Sequence, residues 1–250
     1  MSGHSKWSTI KRKKGAADAK RGQLFTRLGR EITVAARNGG SGDPDANAAL
    51  RLAVQKAKDN NMPVENIERA IKRAVEAKDA NALDEMTLEG YSPGGAALLL
   101  QILTDNRNRT IAEVRSTFTK HNASIGEVGC VTWVFHMKGL ITVEAGENDE
   151  ELELAAIDAG ADDVKLEGGV LEIQTLPEDL ESVRKTLEEN GITINSAELT
   201  LIPQNVVALE SKPAMQTLKL IDRLEEIDGV QQVYTNADFP DDILEQYRSQ

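Results

Sequence analysis

Cysteine is nearly missing from this chain. Cys130 stands alone among 250 residues, which excludes an intrachain disulfide framework and suits a reducing compartment. It lies in the apolar run GCVTWVF, where a buried thiol is expected rather than a nucleophile. Aromatic residues make up 4% of the chain, so aliphatic side chains must fill the cores. Long apolar runs are missing too. GGAALLLQIL has the length of a strand and falls well short of the ~20 residues of a membrane helix. No apolar stretch follows Met1 as a secretory signal would. The front of the chain is rich in Arg and Lys, as a mitochondrial presequence is, but it runs into a helical pattern without a break. A cytoplasmic protein without membrane contact is expected.

Catalytic patterns are scarce as well. His4, His121 and His136 have neither H-x-x-H nor H-E-x-x-H spacing, and Cys130 has no second cysteine, so a zinc site is not expected. G-x-S-x-G does not occur. The acidic groups Asp162-Asp163, Asp241-Asp242 and ENDEELE read as solvated surface rather than a general acid–base pair. GYSPGG, residues 90–95, lacks both the G-x-G-x-x-G and the P-loop spacing and reads as a turn, with Tyr91 at a surface open to a partner. The expectation is a protein that is not an enzyme and uses no cofactor.

What the chain does have is charge, unevenly spread. The formal net charge is -12. Residues 1–78 hold 17 Lys and Arg against 8 Asp and Glu, leaving 12 against 33 for the rest. Such a division argues for one end that faces a polyanion and another that is solubilising or faces a protein partner.

Residue spacing gives the domain plan. Leu24, Leu28, Ile32 and Ala35 share one helical face, which NGGSGDPD ends. Leu50, Val54 and Ala57 mark a second helix. Val64, Ile67, Ile71 and Val75 mark a third, opened by Pro63 and laced by Glu65–Arg69 and Glu68–Lys72 pairs. Residues 1–80 thus read as a basic arm, residues 1–15, followed by a helical bundle.

Beyond it, strands and helices alternate. GLITVEA, a helix at 148–159, a hairpin about Gly168-Gly169, a helix opened by Pro177 and the strand ITINSAELTLI give βαββαβ. The flanks give a second such order. AALLLQILT is followed by a helix capped by Thr110 with Glu113, then by GCVTWVF, NVVAL, a helix at 213–227 and VQQVYT. The fold class expected is α+β multidomain: an N-terminal helical bundle with a basic arm, then two ferredoxin-like βαββαβ domains, one inserted in the other. The boundaries are 81–137 with 203–240 for the outer domain, 138–202 for the inserted one and 241–250 for a polar tail.

The arm supplies the candidate binding residues. Lys6, Lys11, Arg12, Lys13, Lys14, Lys20, Arg21, Arg27, Arg30 and Arg37 form a cation array suited to phosphates, whose affinity comes largely from released counterions. Trp7 can stack on an unpaired base or cap the bundle. Arg107 and Arg109, in DNRNRT, stand at a helix N-terminus and suit a second phosphate contact, or tether the loop to acidic neighbours. The acidic α+β part suits a protein-contact or dimer surface, or serves solubility.

GHSKWSTIKRKKGAADAKRG, followed by LFTRLGREITVAAR, GGSGDPDANAALRLAVQKAKDNNMP, EGYSPGG and DNRNRTIAEVR, resembles the YebC/PmpR family over essentially the whole chain. The resemblance implies an α domain with two α+β domains and a probable DNA-binding transcriptional regulator of the bacterial cytoplasm. Mitochondrial relatives act as translational activators and bacterial ones have been linked to the ribosome, so the alternative it implies is a translation factor touching ribosomal RNA or tRNA. The chain departs from the family pattern at Arg12, where most members carry His. That keeps a charge but removes a group able to titrate or stack.

Overall fold

Three amphipathic helices open the part of the chain that the computed structural model describes, residues 18–76, 83–146, 149–167 and 169–248. They are α1 (Asp18–Asn38), α2 (Ala48–Asp59) and α3 (Val64–Glu76). Leu28, Ile32 and Ala36 of α1 meet Leu50, Val54 and Ala57 of α2 and Ile67, Ala70 and Ala74 of α3 in one aliphatic core, as a 3.6-residue period requires. The buried line of α3 therefore differs from the expected one. Val64 and Val75 face solvent, and the small Ala70 and Ala74 take the inner positions. Thr33 on α1 comes within hydrogen-bond reach of the Ala70 carbonyl, at 3.4 Å. The turn between α1 and α2 is closed by the buried Asn47, whose Oδ1 accepts from Leu50 N–H at 3.1 Å and whose amide donates to the Ala35 carbonyl at 2.8 Å. A Cβ on Gly39 would collide with that amide, which explains the glycine.

The described residues divide into two compact units. One takes them from 18–78 and 137–201, the other from 79–136 and 202–250. The first therefore joins the bundle to an α+β module. The module runs β4 (Phe135–Glu144), α5 (Asp149–Asp158), β5 (Asp163–Glu167), β6 (Val170–Thr175), α6 (Leu180–Glu189) and β7 (Ile194–Pro203). Its sheet has the order β5-β6-β4-β7. Ile141, Val143, Leu171 and Ile173 alternate onto the face covered by Ala156, Leu180, Val183 and Leu187. From the bundle, Leu52 packs on this core, and Lys56 bridges Glu31 and Glu198 at 3.2 Å each.

The second unit is built on a hairpin, β1 (Asp84–Tyr91) and β2 (Ala97–Thr104), in which Leu88 faces Leu100 and Glu89 faces Leu99. It continues with α4 (Arg107–Lys120), β3 (Ser124–Ile125), β8 (Val207–Ala208), α7 (Ser211–Glu225), β9 (Val230–Thr235), β10 (Ala237–Asp238) and α8 (Asp241–Arg248). The main sheet has the order β3-β1-β2-β9, and β8 pairs with β10 in parallel. Among the described residues the chain thus has eight α-helices and largely antiparallel sheets.

Four expectations for this unit are corrected. GCVTWVF is not a strand: it forms a loop and a short 3-10 turn, Thr132–Val134, before β4 begins at Phe135. The cause is Glu89, whose buried carboxylate accepts the backbone N–H groups of Gly129, Val131 and Thr132 at 2.7, 2.7 and 2.9 Å, removing them from any ladder. The sheet recruits β1 instead, so the order is not the second βαββαβ expected from the flanks. The cap of α4 is Asn106, whose Oδ1 accepts from Arg109 N–H at 3.0 Å, while Thr110 turns inward and its hydroxyl meets that of Thr104 at 2.9 Å. Residues 241–250 are not simply a polar tail. Ile243, Leu244 and Tyr247 of α8 enter the core beside Leu218, Ile221 and Phe239, and the Tyr247 hydroxyl bonds the Asp222 carboxylate.

Candidate nucleic-acid interface

Helix α1 carries Arg27, Arg30 and Arg37 along the side away from Leu28 and Ile32, since spacings of three and seven residues keep positions in line. All three are half-buried, and each is engaged within the molecule. Lys20 and Arg21 lie in the first turn of the same helix. Lys6, Trp7, Lys11, Arg12, Lys13 and Lys14 fall outside the described residues.

Exposed cations continue on the neighbouring helices. Arg51 and Lys58 stand on α2, and Arg69, Lys72 and Arg73 cluster on α3 through spacings of three and four. Sequence spacing did offer a signal for the last group, the ERAIKR run, but two of its members read there as partners of Glu65 and Glu68. Lys56 plays a different part. It ties α1 and α2 to β7 through Glu31 and Glu198.

Arg107 and Arg109 belong to the other compact unit. Both are exposed at the start of α4, and the Arg109 guanidinium pairs with Asp105 at 2.9 Å. The pair is local, four residues apart, and Arg109 therefore tethers its own loop. Arg107 stands beside it on the solvent side of the first turn.

Cys130 is half-buried in the loop shaped by Glu89. Burial, helped by the Glu89 charge, pushes its thiol above the ordinary range, so it stays protonated and a poor nucleophile at neutral pH. Burial also acts to raise the Glu89 carboxyl. The hydrogen bonds from Gly129, Val131 and Thr132 outweigh it, and the net direction is down. Among the described residues, no helix is long and apolar enough to cross a membrane and no cluster of His, Cys, Asp or Glu is arranged to hold a metal ion.

Comparison with known proteins places these features in a family. Residues 5–77 match the family model described as the TACO1/YebC protein N-terminal domain, and residues 83–237 match the TACO1/YebC second and third domain. A protein of Dehalococcoides mccartyi (strain CBDB1), named probable transcriptional regulatory protein cbdbA400, is 55% identical over 251 residues and covers 100% of both chains. A probable transcriptional regulatory protein of Geotalea uraniireducens is 54% identical over 245 residues, 98% of this chain and 99% of that one. The crystal structure of a conserved hypothetical protein, Aq1575 of Aquifex aeolicus, superposes with a TM-score of 0.82 at 45% identity, covering 90% of this chain and 93% of that one.

Proposed function

Because the chain belongs to the TACO1/YebC family, we propose that it is a non-enzymatic regulator that binds nucleic acid, duplex DNA in the control of transcription, in the cytoplasm. One observation carries this reading. Residues 1–78 hold 17 cations against 8 acids in a chain of net charge -12, and exposed cations stand on α2 and α3. The names of the relatives support the regulatory role. In this reading Lys6, Lys11, Arg12, Lys13 and Lys14 neutralise phosphates first. Lys20, Arg21, Arg27, Arg30 and Arg37 extend the track along α1, and Arg107 and Arg109 add a separate contact. The strand order β5-β6-β4-β7, with both helices on one face, supports taking residues 138–202 as a ferredoxin-like insertion that carries the acidic surface.

Salt dependence tests it. For about five engaged phosphates the log–log slope of affinity against salt should be about -4.5 for duplex DNA. Deleting residues 2–14 should flatten that slope without changing the unfolding of the remainder. A salt-independent affinity overturns the proposal.

Trp7 favours a second reading, a translation factor on ribosomal RNA, because an aromatic ring among cations suits unpaired bases. There Trp7→Ala should lose about 5- to 150-fold in RNA binding, the worth of ~1–3 kcal/mol of stacking. A variant silent toward RNA returns the choice to duplex DNA.

A further inference from the structure

The loop that Glu89 shapes presents an exposed tryptophan in a fixed pose. Trp133 is 64% exposed and Val128 91%, with Tyr91 at their side. Neither ring is loose. The Trp133 indole N–H donates to the Cys130 carbonyl at 3.0 Å, and the Tyr91 hydroxyl donates to the same oxygen at 3.1 Å. Below them the Glu89 carboxylate, 4% exposed, holds three backbone N–H groups of the loop. Gly129 sits at φ +88°, and a side chain on Gly126 would strike the Cys130 sulfur. The indole donor is thus engaged inside the loop, and what Trp133 offers outward is an apolar π face. Ordering such a group on binding costs little, since its rotamer is already fixed.

Beside the loop a groove of about 550 Å³ opens between α4 and β3. Phe118, Ala123 and Ile125 line it, with Arg115 and Glu127 contributing opposite charges. Its volume lies in the range of ligand pockets and leaves room for a partner's side chain. The charge of the loop bears on the occupant. Residues 126–134 carry Glu127 and no Lys or Arg, and Arg115 is the cation of the groove lining. A polynucleotide laid over Trp133 would find no cation on the loop for its phosphates. A cationic side chain would meet the Trp133 face together with the exposed Glu127 carboxylate.

We infer that residues 126–134, with Tyr91 and the adjoining groove, form a docking surface for a second protein whose binding segment sets an aliphatic side chain in the groove and an arginine or lysine over Trp133. This surface goes beyond the nucleic-acid reading and holds whether the regulator works on DNA or RNA.

The two tryptophans of the chain make the test direct. In the full chain carrying Trp7→Phe, emission comes from Trp133. It is titrated with a synthetic peptide alternating arginine and leucine, its glutamate–leucine counterpart, and an oligouridylate. The arginine–leucine peptide should give a saturable shift of emission. Glu127→Arg should weaken it about tenfold or more, and Val128→Ser should weaken it measurably. The glutamate–leucine peptide and the oligouridylate should leave emission unchanged. Glu153→Arg, the same charge change on α5, should matter little and so separates local from global charge. Both 127 and 128 are exposed, so unchanged melting is the control. A shift equally sensitive to Glu153→Arg overturns the proposal, as does an oligouridylate that shifts the Trp133 emission at lower concentration than the peptide, whatever it binds elsewhere on the chain. So does a shift that grows with protein concentration alone, which would mark a contact between copies, or the absence of a saturable shift with the arginine–leucine peptide.

Discussion

The two four-stranded sheets of this chain are built from equally aliphatic strands, yet they are held in shape differently. The sheet of β4 to β7 follows from short-range patterns: alternation along each strand, a turn at Gly169 between β5 and β6, and helices whose apolar positions recur at three and four residues. The sheet of β1, β2, β3 and β9 has at its side a loop held by one carboxylate. Glu89 reaches backbone groups 40 to 43 residues further along the chain and takes them out of any ladder. Apolar pattern accounts for one region, and the other also needs a polar contact made at a distance.

The cores should break the two sheets equally. Ile141→Ala in the first and Leu100→Ala in the second each remove a fully buried aliphatic side chain. Each should cost about 2–5 kcal/mol, measured by denaturant unfolding. Glu89→Gln should separate them. Losing a charged acceptor of three backbone N–H bonds should cost roughly 1.5–3 kcal/mol, with the loss confined in hydrogen exchange to residues 126–134 and β1. Its pH dependence has a definite sign. The folded carboxyl titrates below the ordinary value of 4.5, so its contribution is present above that pH and fades as pH falls further. Wild type and Glu89→Gln should therefore converge in acid and diverge toward neutrality.

A smaller effect concerns α8. Tyr247→Phe removes the hydroxyl held by Asp222 while keeping the ring in the core, and should cost about 0.5–1.5 kcal/mol. Burial and Asp222 hold that phenol well above its ordinary value of 10.0, so the cost should hold through neutral pH and shrink as pH rises toward and past 10, where the unfolded phenol ionises first. Lys56→Met should have the least effect, about 0.2–1 kcal/mol in 0.1 M salt, because its pairs with Glu31 and Glu198 still reach solvent, the side chains being 23–26% exposed. A larger loss would mean that this lysine, rather than Leu52, is what joins the bundle to the module.

Legibility in the sequence tracks the range of the interaction. The faces of α1 and α2 and the β5–β6 hairpin are encoded within a dozen residues and could be read there. The inner line of α3 was misplaced because Ala70 and Ala74 look weaker than Val64 and Val75, although close helix approach favours them. Nothing near Glu89 distinguishes it from the exposed Glu85, since its partners are distant. Helix α8 was hidden by Asp241, Asp242, Glu245 and Gln246, which surround its few apolar residues. At the candidate interface, the position of Arg27, Arg30 and Arg37 on one helix was legible, but not their half-buried, engaged state. The exposed Arg69 and Lys72 read in the sequence as helix-stabilising partners of Glu65 and Glu68, which hides their place in a cation cluster with Arg73.

The unit built from 79–136 and 202–250 has a core that needs both its first strands and its last helix. Translation delivers these parts far apart in time. After Thr104 completes β2, 143 further residues must be made before Tyr247 is available, which takes roughly 7–30 s at typical bacterial rates. Throughout that wait the nascent chain carries the apolar run Leu98, Leu99, Leu100, Ile102 and Leu103 with β1 and α4 at hand but without the α7, β9 and α8 residues that complete its cover. The contiguous module of 137–201, already emerging, faces no such delay. Early exposure to chaperones, and sensitivity of yield to elongation speed, therefore belong to the unit of 79–136 and 202–250.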